Sequence, residues 1–496
     1  MSATLTVHVR VHDAATGKPT PVRIRVAGPD GQYFAPLGRP DDFPIGRNEE
    51  VGGHVYLNKK RYAYIDGSCE IPLPSGVPLD VEITKGPLYE TVRQTVTLGP
   101  GQMALRFPVR RWPDDRWAGL VSADTRCHFL SPHAARLEAD AEGIDLVHLL
   151  ATVQDYRSHD GHLYRSIPNM TAFSGQRESV PGVFVNTFNA HPALGRLGLL
   201  NCHRAVYPLT FGGFGEMDDW SLADWCQQCH RKNGLVVWCD AYRVEAGIPG
   251  GEGLIDTILG KVDAIEFDAH DRTAPFLPML YRLWNAGIRV PIVGGSGKDS
   301  NRIALGGMRT MTPAGTEPTS DAAWVEHVRA GRAWCSNGPL LRLFVDEQFD
   351  VAKVHVSPGQ PVRLRAEAAS AVPFEWLEMV ANGQTVARAA PTGDGVWSAV
   401  LEAEHSMNAG GWVAARCWGA MASDLYPHGP VFAHTGPIDV ALASVPAYRD
   451  PAALPPLRRD VERVRDWVER EGRFAIPRRK EFLLSLCDEA LGRLSG

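Results

Sequence analysis

No stretch of this chain approaches the ~20 consecutive apolar residues that a membrane-spanning helix needs, so no transmembrane helix is expected. Long basic runs are missing too, and the net charge is −6, which argues against a nucleic-acid partner. Cysteine is scarce. The nine, at positions 69, 127, 202, 226, 229, 239, 335, 417 and 487 of 496 residues, are scattered and odd in number. They fit a reducing compartment better than a disulfide framework. Residues 1–11 alternate like a strand, without the basic and apolar segments of a signal peptide, and a cytoplasmic location is the expectation. The rest is ordinary for a soluble globular protein, at 44% hydrophobic and 22% charged residues. The length suggests roughly three domains at ~150 residues each.

Residues 1–111 read as all-β. Leu5–Val11 and Val22–Val26 alternate, with turn signals around Gly17 and Gly31. This segment resembles the small transthyretin-like sandwich of carboxypeptidase regulatory domains. The charged connector Arg111–Arg116 follows, and the period then changes. Over 112–340 apolar strands alternate with helical patterns, which argues for a parallel sheet or barrel with its site at the strand carboxyl ends. Seven strand candidates are present: Gly119–Ala123, Leu146–Thr152, Gly182–Asn186, Leu197–Asn201, Gly234–Cys239, Ala264–Phe267 and Val290–Gly294. Residues 341–445 turn β again, with Asn382-Gly383 between alternating runs as a hairpin signal. Residues 446–496 close the chain with two amphipathic helices.

A polar cluster follows every barrel strand. The first gives Asp124, Arg126 and His128; the second Gln154 and Asp155, with His159, Asp160 and His162 beyond. The third gives Asn186, Asn189 and His191, and the fourth Asn201, Cys202, His203 and Arg204. The fifth gives Cys239, Asp240, Tyr242 and Arg243; the sixth Glu266, Asp268, His270 and Asp271. The last gives Ser296, Lys298, Asp299 and Asn301. Surface loops need far less polarity than this, so a site is expected there. Glu266 and Asp268 both point inward only if their strand runs on to residue 268.

The stretch Trp117–Phe129, W-A-G-L-V-S-A-D-T-R-C-H-F, resembles the D-x-H-x-H strand of PHP-type metallohydrolases. Together with R-A-W-C-S-N-G-P-L-L and G-G-S-G-K-D-S-N it resembles the CehA/McbA (carbaryl-hydrolase-like) branch, and G-W-V-A-A-R-C-W resembles that branch's immunoglobulin-like module. The resemblance implies an irregular (β/α)7 barrel between two β modules in a multidomain α/β chain. It implies hydrolysis of an ester, carbamate, amide or phosphoester of a small molecule. Arg126 departs from the pattern where a histidine ligand is expected, and Phe188 stands where a glutamate is expected. Guanidinium has no lone pair to give a metal.

Three readings follow. One divalent metal (zinc, manganese or iron) could survive on His128, Asp240, Asp299 and Glu266, with His203 as acid–base and Lys298 with Arg126 stabilising an oxyanion. Alternatively, Arg126, Arg204 and Lys298 replace the metal and grip an anionic group bidentately. In the third, the chain only binds or scaffolds. Asn189, Asn201, Tyr242 and Arg243 are candidates for substrate contact. Neither a nucleic-acid nor a membrane partner is expected, and a homo-oligomer stays open. Cys226-Gln-Gln-Cys229-His230 matches a haem-attachment pattern, but its helical setting, capped by Ser221, reads as packing. His54, His405 and His434 lie outside the barrel and read as structural.

Overall fold

The computed structural model describes residues 4–46, 52–153, 155–157, 163–165, 180–213, 216–241, 243–268, 273–314, 320–443 and 445–495. Along Thr4–Asp13 the odd positions Val7, Val9 and Val11 are buried and their neighbours are not, which is the period of a half-buried strand. That strand pairs with Ser68–Pro74 and Ala104–Val109. A second sheet of five strands packs over it, with Ile24, Val81 and Ile83 meeting Val7 and Val9 in one core.

Seven strands then follow one another in hydrogen-bonded order: Leu120–Cys127, Leu146–Ala151, Val183–His191, Gly195–Leu200, Leu235–Cys239, Ala264–Asp268 and Ile292–Gly295. The last returns to the first. Cys127 bridges Lys298 in the parallel sense, and His128 N donates to the Lys298 carbonyl at 2.8 Å. The strands therefore close into a ring. Most of its residues are buried, and a strand such as Leu235–Cys239 reads as a continuous apolar run because both faces are covered.

The ring is not uniformly parallel. Gly195–Leu200 runs antiparallel to both neighbours. The first strand is also irregular: Val147 opposes Asp124 but Leu149 opposes Cys127, so one extra residue is inserted into 124–127. Such a bulge breaks the alternation of side chains and re-aims them.

Beyond the ring, Arg309–Pro313 pairs with the first strand and with Trp334–Ser336, which in turn pairs with Pro430–Thr435. The sheet thus runs unbroken past residue 340 into the C-terminal β module. There Trp376–Ala381 and Gln384–Ala389 form a hairpin. Its two turn residues, Asn382 and Gly383, both have positive φ (48° and 85°), which only a residue pair of this kind adopts cheaply. The helices Leu454–Arg470 and Pro477–Arg493 bury Leu457, Val461, Leu483 and Leu486 in a core shared with Leu254 and Trp284 of the ring layer. Among the described residues no helix is long and apolar enough to cross a membrane.

The helix Pro132–Glu142 joins the modules. Ser131 caps it through the Ala134 amide, Pro132 opens it, and Gly143 closes it in the left-handed region. Glu138 and Glu142, one turn apart on one face, are both fully buried. Glu142 receives Arg23 at 2.8 Å and Tyr64 at 2.8 Å from the N-terminal module, and Tyr426 at 2.9 Å from the C-terminal one. Removing one partner of a buried, hydrogen-bonded ion pair costs ~3–5 kcal/mol. Glu142→Ala is expected to lower unfolding stability in urea by about that much; a loss under ~1 kcal/mol would mean that water reaches the junction.

Candidate functional site

Arg126 lies at the carboxyl end of the first ring strand, with a side chain only 7% exposed. Its Nε is 2.8 Å from Glu266 Oε1, a charge contact whose angle falls outside hydrogen-bond geometry. Its Nη2 is 3.4 Å from Asp240 Oδ1 and 3.5 Å from Asp268 Oδ2. The strand Ala264–Asp268 does run to residue 268, which is why Glu266 and Asp268 share a face while Phe267 packs outward on Phe276. Burial works against the guanidinium charge, but Glu266 and then Asp240 hold its pKa well above the ordinary value. Burial pushes the Glu266 carboxyl up to about 7, although Arg126 and the Thr125 hydroxyl, donating at 2.8 Å, pull it down. Gly295 makes this approach possible, because a Cβ there would stand 2.6 Å from Glu266 Oε2 and 2.4 Å from Thr125 Oγ1.

The rest of the first-strand cluster divides in three directions. Asp124 accepts backbone N–H bonds from Arg126 (3.1 Å), Ser296 (2.9 Å) and Gly306 (2.8 Å), and so pins the closure of the ring. The His128 Nδ1–H donates to the Leu150 carbonyl at 3.0 Å, which leaves Nε2 with the lone pair. Burial first, and Arg126 second, bring the His128 pKa down to about 4, so the ring is neutral at pH 7. Phe188 lies edge-on to His128 and under Arg126, with ring centroid distances of 5.3 and 5.4 Å. Asp299, half-buried, acts on His128 electrostatically.

Asp240 stands at the centre of a wider set. Besides Arg126 it meets Arg196 at 3.6 Å and Arg243 at 3.5 Å, and these two arginines also reach Glu245. Arg196 was not a candidate from sequence. It stands at the start of a strand rather than after its end, and only the reversal of Gly195–Leu200 brings that start to this end of the ring.

That reversal corrects three expectations. Asn201, His203 and Arg204 follow an antiparallel strand and so lie at the opposite end of the ring, ~16 Å of strand away. Asn201 donates to the Asn233 carbonyl, while His203 and Arg204 are exposed and touch each other at 3.3 Å. Lys298 is a further correction. Its Nζ donates to the carbonyls of Ser300 and Ile303 and pairs with Glu138 at 3.5 Å, both side chains being fully buried. It therefore faces the helix Pro132–Glu142 and forms no pair with Arg126. Asn189 is buried and donates to the carbonyls of Val206 and Pro208, anchoring that loop. Tyr242, Gln154, His159, Asp160, His162, His270 and Asp271 lie outside the described residues.

Cys226 and Cys229 sit on the helix Leu222–His230 and diverge. Cys226 turns to Asp256, Cys229 touches Cys202 with sulfurs 3.4 Å apart, and His230 pairs with Asp263 at 2.9 Å. His434 is buried, in a polar relay with Tyr281. Among the described residues, no three His, Cys, Asp or Glu side chains converge as an ion would require.

No family model matches the chain, and no curated protein does. A solved structure, the β-glucuronidase of Bacteroides uniformis, aligns with 89% of this chain and 58% of its own at 9% identity and a TM-score of 0.17. The chain spans little more than half the length of that enzyme, and a likeness this low carries no argument about fold or function.

Two outcomes are expected. Lys298→Met removes the buried cation that faces Glu138 and should cost ~3–5 kcal/mol of stability, read from the denaturant midpoint. Glu266, whose folded pKa of about 7 exceeds the usual 4.5, stabilises most below pH 4.5 and loses that contribution as pH rises through 7. Wild-type stability should therefore fall relative to Glu266→Gln across that window and run parallel to it above. A gap between the two that is constant with pH would mean the carboxyl is ionised throughout.

Proposed function

We propose that the ring is a PHP-like barrel of the CehA/McbA type in which the Arg126 guanidinium fills the place of a divalent metal, and that the chain binds a small anionic molecule at the strand carboxyl ends. The observation that carries this is the position of Arg126 among Glu266, Asp240 and Asp268. The donor set does not fit a metal. Two of the expected ligands, Glu266 and Asp240, are already turned to a buried cation, and a second cation a few ångströms from it would be repelled by ~4 kcal/mol per unit charge at a 4 Å separation. His128 keeps a free lone pair, but one nitrogen does not make a site.

The anion would be held at the mouth by Arg243 and Arg196, whose side chains are 28% and 19% exposed. Their contacts to Asp240 and Glu245 are long, at 3.4–3.8 Å. A carboxylate or phosphate could exchange for these at small cost and gain bidentate geometry. Arg126 is buried beneath and serves as the fixed charge that keeps Asp240 in place. Hydrolysis of an ester, carbamate, amide or phosphoester without metal is a second reading. It is favoured by Glu266, a buried carboxyl near pKa 7, which is the range that acid–base work needs.

Elemental analysis of protein purified without chelator or affinity tag should give well under one equivalent of zinc, manganese or iron. Calorimetric titration with citrate and phenyl phosphate should show saturable binding that Arg243→Ala weakens roughly tenfold, ~1.4 kcal/mol. One tightly held metal per chain, lost in His128→Ala, would sink the metal-free reading. Turnover of 4-nitrophenyl acetate or phosphate that is abolished in Glu266→Gln would decide for the second reading.

A further inference from the structure

A cavity of about 660 Å³ lies away from the ring mouth, between the helix Thr273–Asn285, the C-terminal sheet and the turn at Asp450–Ala453. Its volume is in the range of small-molecule sites. Its walls come from five stretches of the chain, residues 277–285, 378–384, 416–418, 430–432 and 450–453. Leu277, Pro278, Phe432 and Trp418 supply an apolar lining, and Trp418 is 36% exposed, large for an indole in a β-sheet. Singly exposed aromatics are ordinary on surfaces; one that lines a cavity beside a fixed cation is not.

That cation is Arg416. Its Nε donates to Glu378 at 2.7 Å, Nη1 to the Tyr281 hydroxyl at 3.1 Å and Nη2 to Thr385 at 3.3 Å. The Tyr281 hydroxyl in turn donates to His434 Nε2 at 2.6 Å, and His434 Nδ1–H donates to the Thr435 carbonyl at 2.7 Å. Each donor in this relay has one acceptor, so the tautomer and the directions are fixed. Burial lowers the His434 pKa to about 3, which keeps it the neutral acceptor that the relay requires. The relay holds the guanidinium rigid before any ligand arrives, and three bonds leave two of its five N–H groups for other use. Arg282 adds a second positive charge on the cavity wall, its nearest carboxylate, Asp460, being 4.0 Å away. Glu378, held by Arg416, and Asp450 also line the wall, so the anion must be seated by the two arginines against these carboxylates.

We propose that this cavity binds an organic anion with a planar or aliphatic apolar body, a class that includes aryl and alkyl carboxylates and sulfonates. The apolar body would lie on Trp418 and Phe432. The anionic group would sit between Arg416 and Arg282. The proposal stands apart from the ring site and needs none of its residues.

The test is fluorescence titration of the full chain with 1-anilinonaphthalene-8-sulfonate, beside its neutral relative N-phenyl-1-naphthylamine. The sulfonate should saturate one site per chain and bind roughly tenfold tighter than the neutral probe. Trp418→Ala and Arg282→Glu, both on exposed or part-exposed side chains, should each weaken it roughly tenfold while leaving the circular dichroism and unfolding midpoint unchanged. Absence of saturable binding would overturn the proposal, as would equal affinity for the two probes. So would binding that survives both variants but is lost in Arg243→Ala, which would place the probe at the ring mouth.

Discussion

The buried carboxylate of Glu142 is the constraint on which the assembly of this chain depends. It draws Arg23 and Tyr64 from one β module and Tyr426 from the other onto a single helix of the ring layer. Arg309 closes the same junction, donating to the Tyr426 hydroxyl at 2.7 Å and to the Glu142 carbonyl at 3.1 Å. Hydrophobic burial would let the modules pack in several orientations, since it has no direction. A buried charge with three fixed donors admits one. One turn earlier on the helix, Glu138 does the same for the ring itself by holding Lys298 and the Gly53 amide.

Lys298 and Arg126 show how two cations on adjoining strands are put to different uses. Cys127 bridges Lys298, so residues next to the bridge face opposite sides of the sheet. Lys298 goes to the helix layer and stabilises the fold. Arg126 goes to the interior and gathers Glu266, Asp240 and Asp268. The inward position keeps a dense set of charges at the strand carboxyl ends. The charges there are nearly balanced among themselves, with Arg126 buried and Arg196 and Arg243 partly exposed.

Of the candidate site, the sequence made legible which residues carry charge after which strand. Asp240, Glu266, His128 and Arg243 all do gather at one end. Two features hid the rest. The inserted residue in 124–127 spoils the alternation that would aim Asp124 and Arg126 alike, so Asp124 went to backbone amides instead of the interior. The reversed strand Gly195–Leu200 moved His203 and Arg204 to the far end and brought Arg196 to the near one. An antiparallel strand has the same apolar pattern as a parallel one, so nothing local marks its direction.

By itself the amino-acid sequence determined the local elements: alternating β modules, apolar strands separated by capped helices, the Asn-Gly hairpin and two closing amphipathic helices. These depend on period, capping and turn chemistry, which act over a few residues. Only the tertiary structure decided which charges meet. Arg126 and Glu266 are far apart in the chain, as are Arg23 and Glu142, and Tyr281 and His434. Strand direction, a bulge and ring closure settle those encounters, because an ion pair exists only at a distance of a few ångströms, and distance between remote residues is a property of the fold.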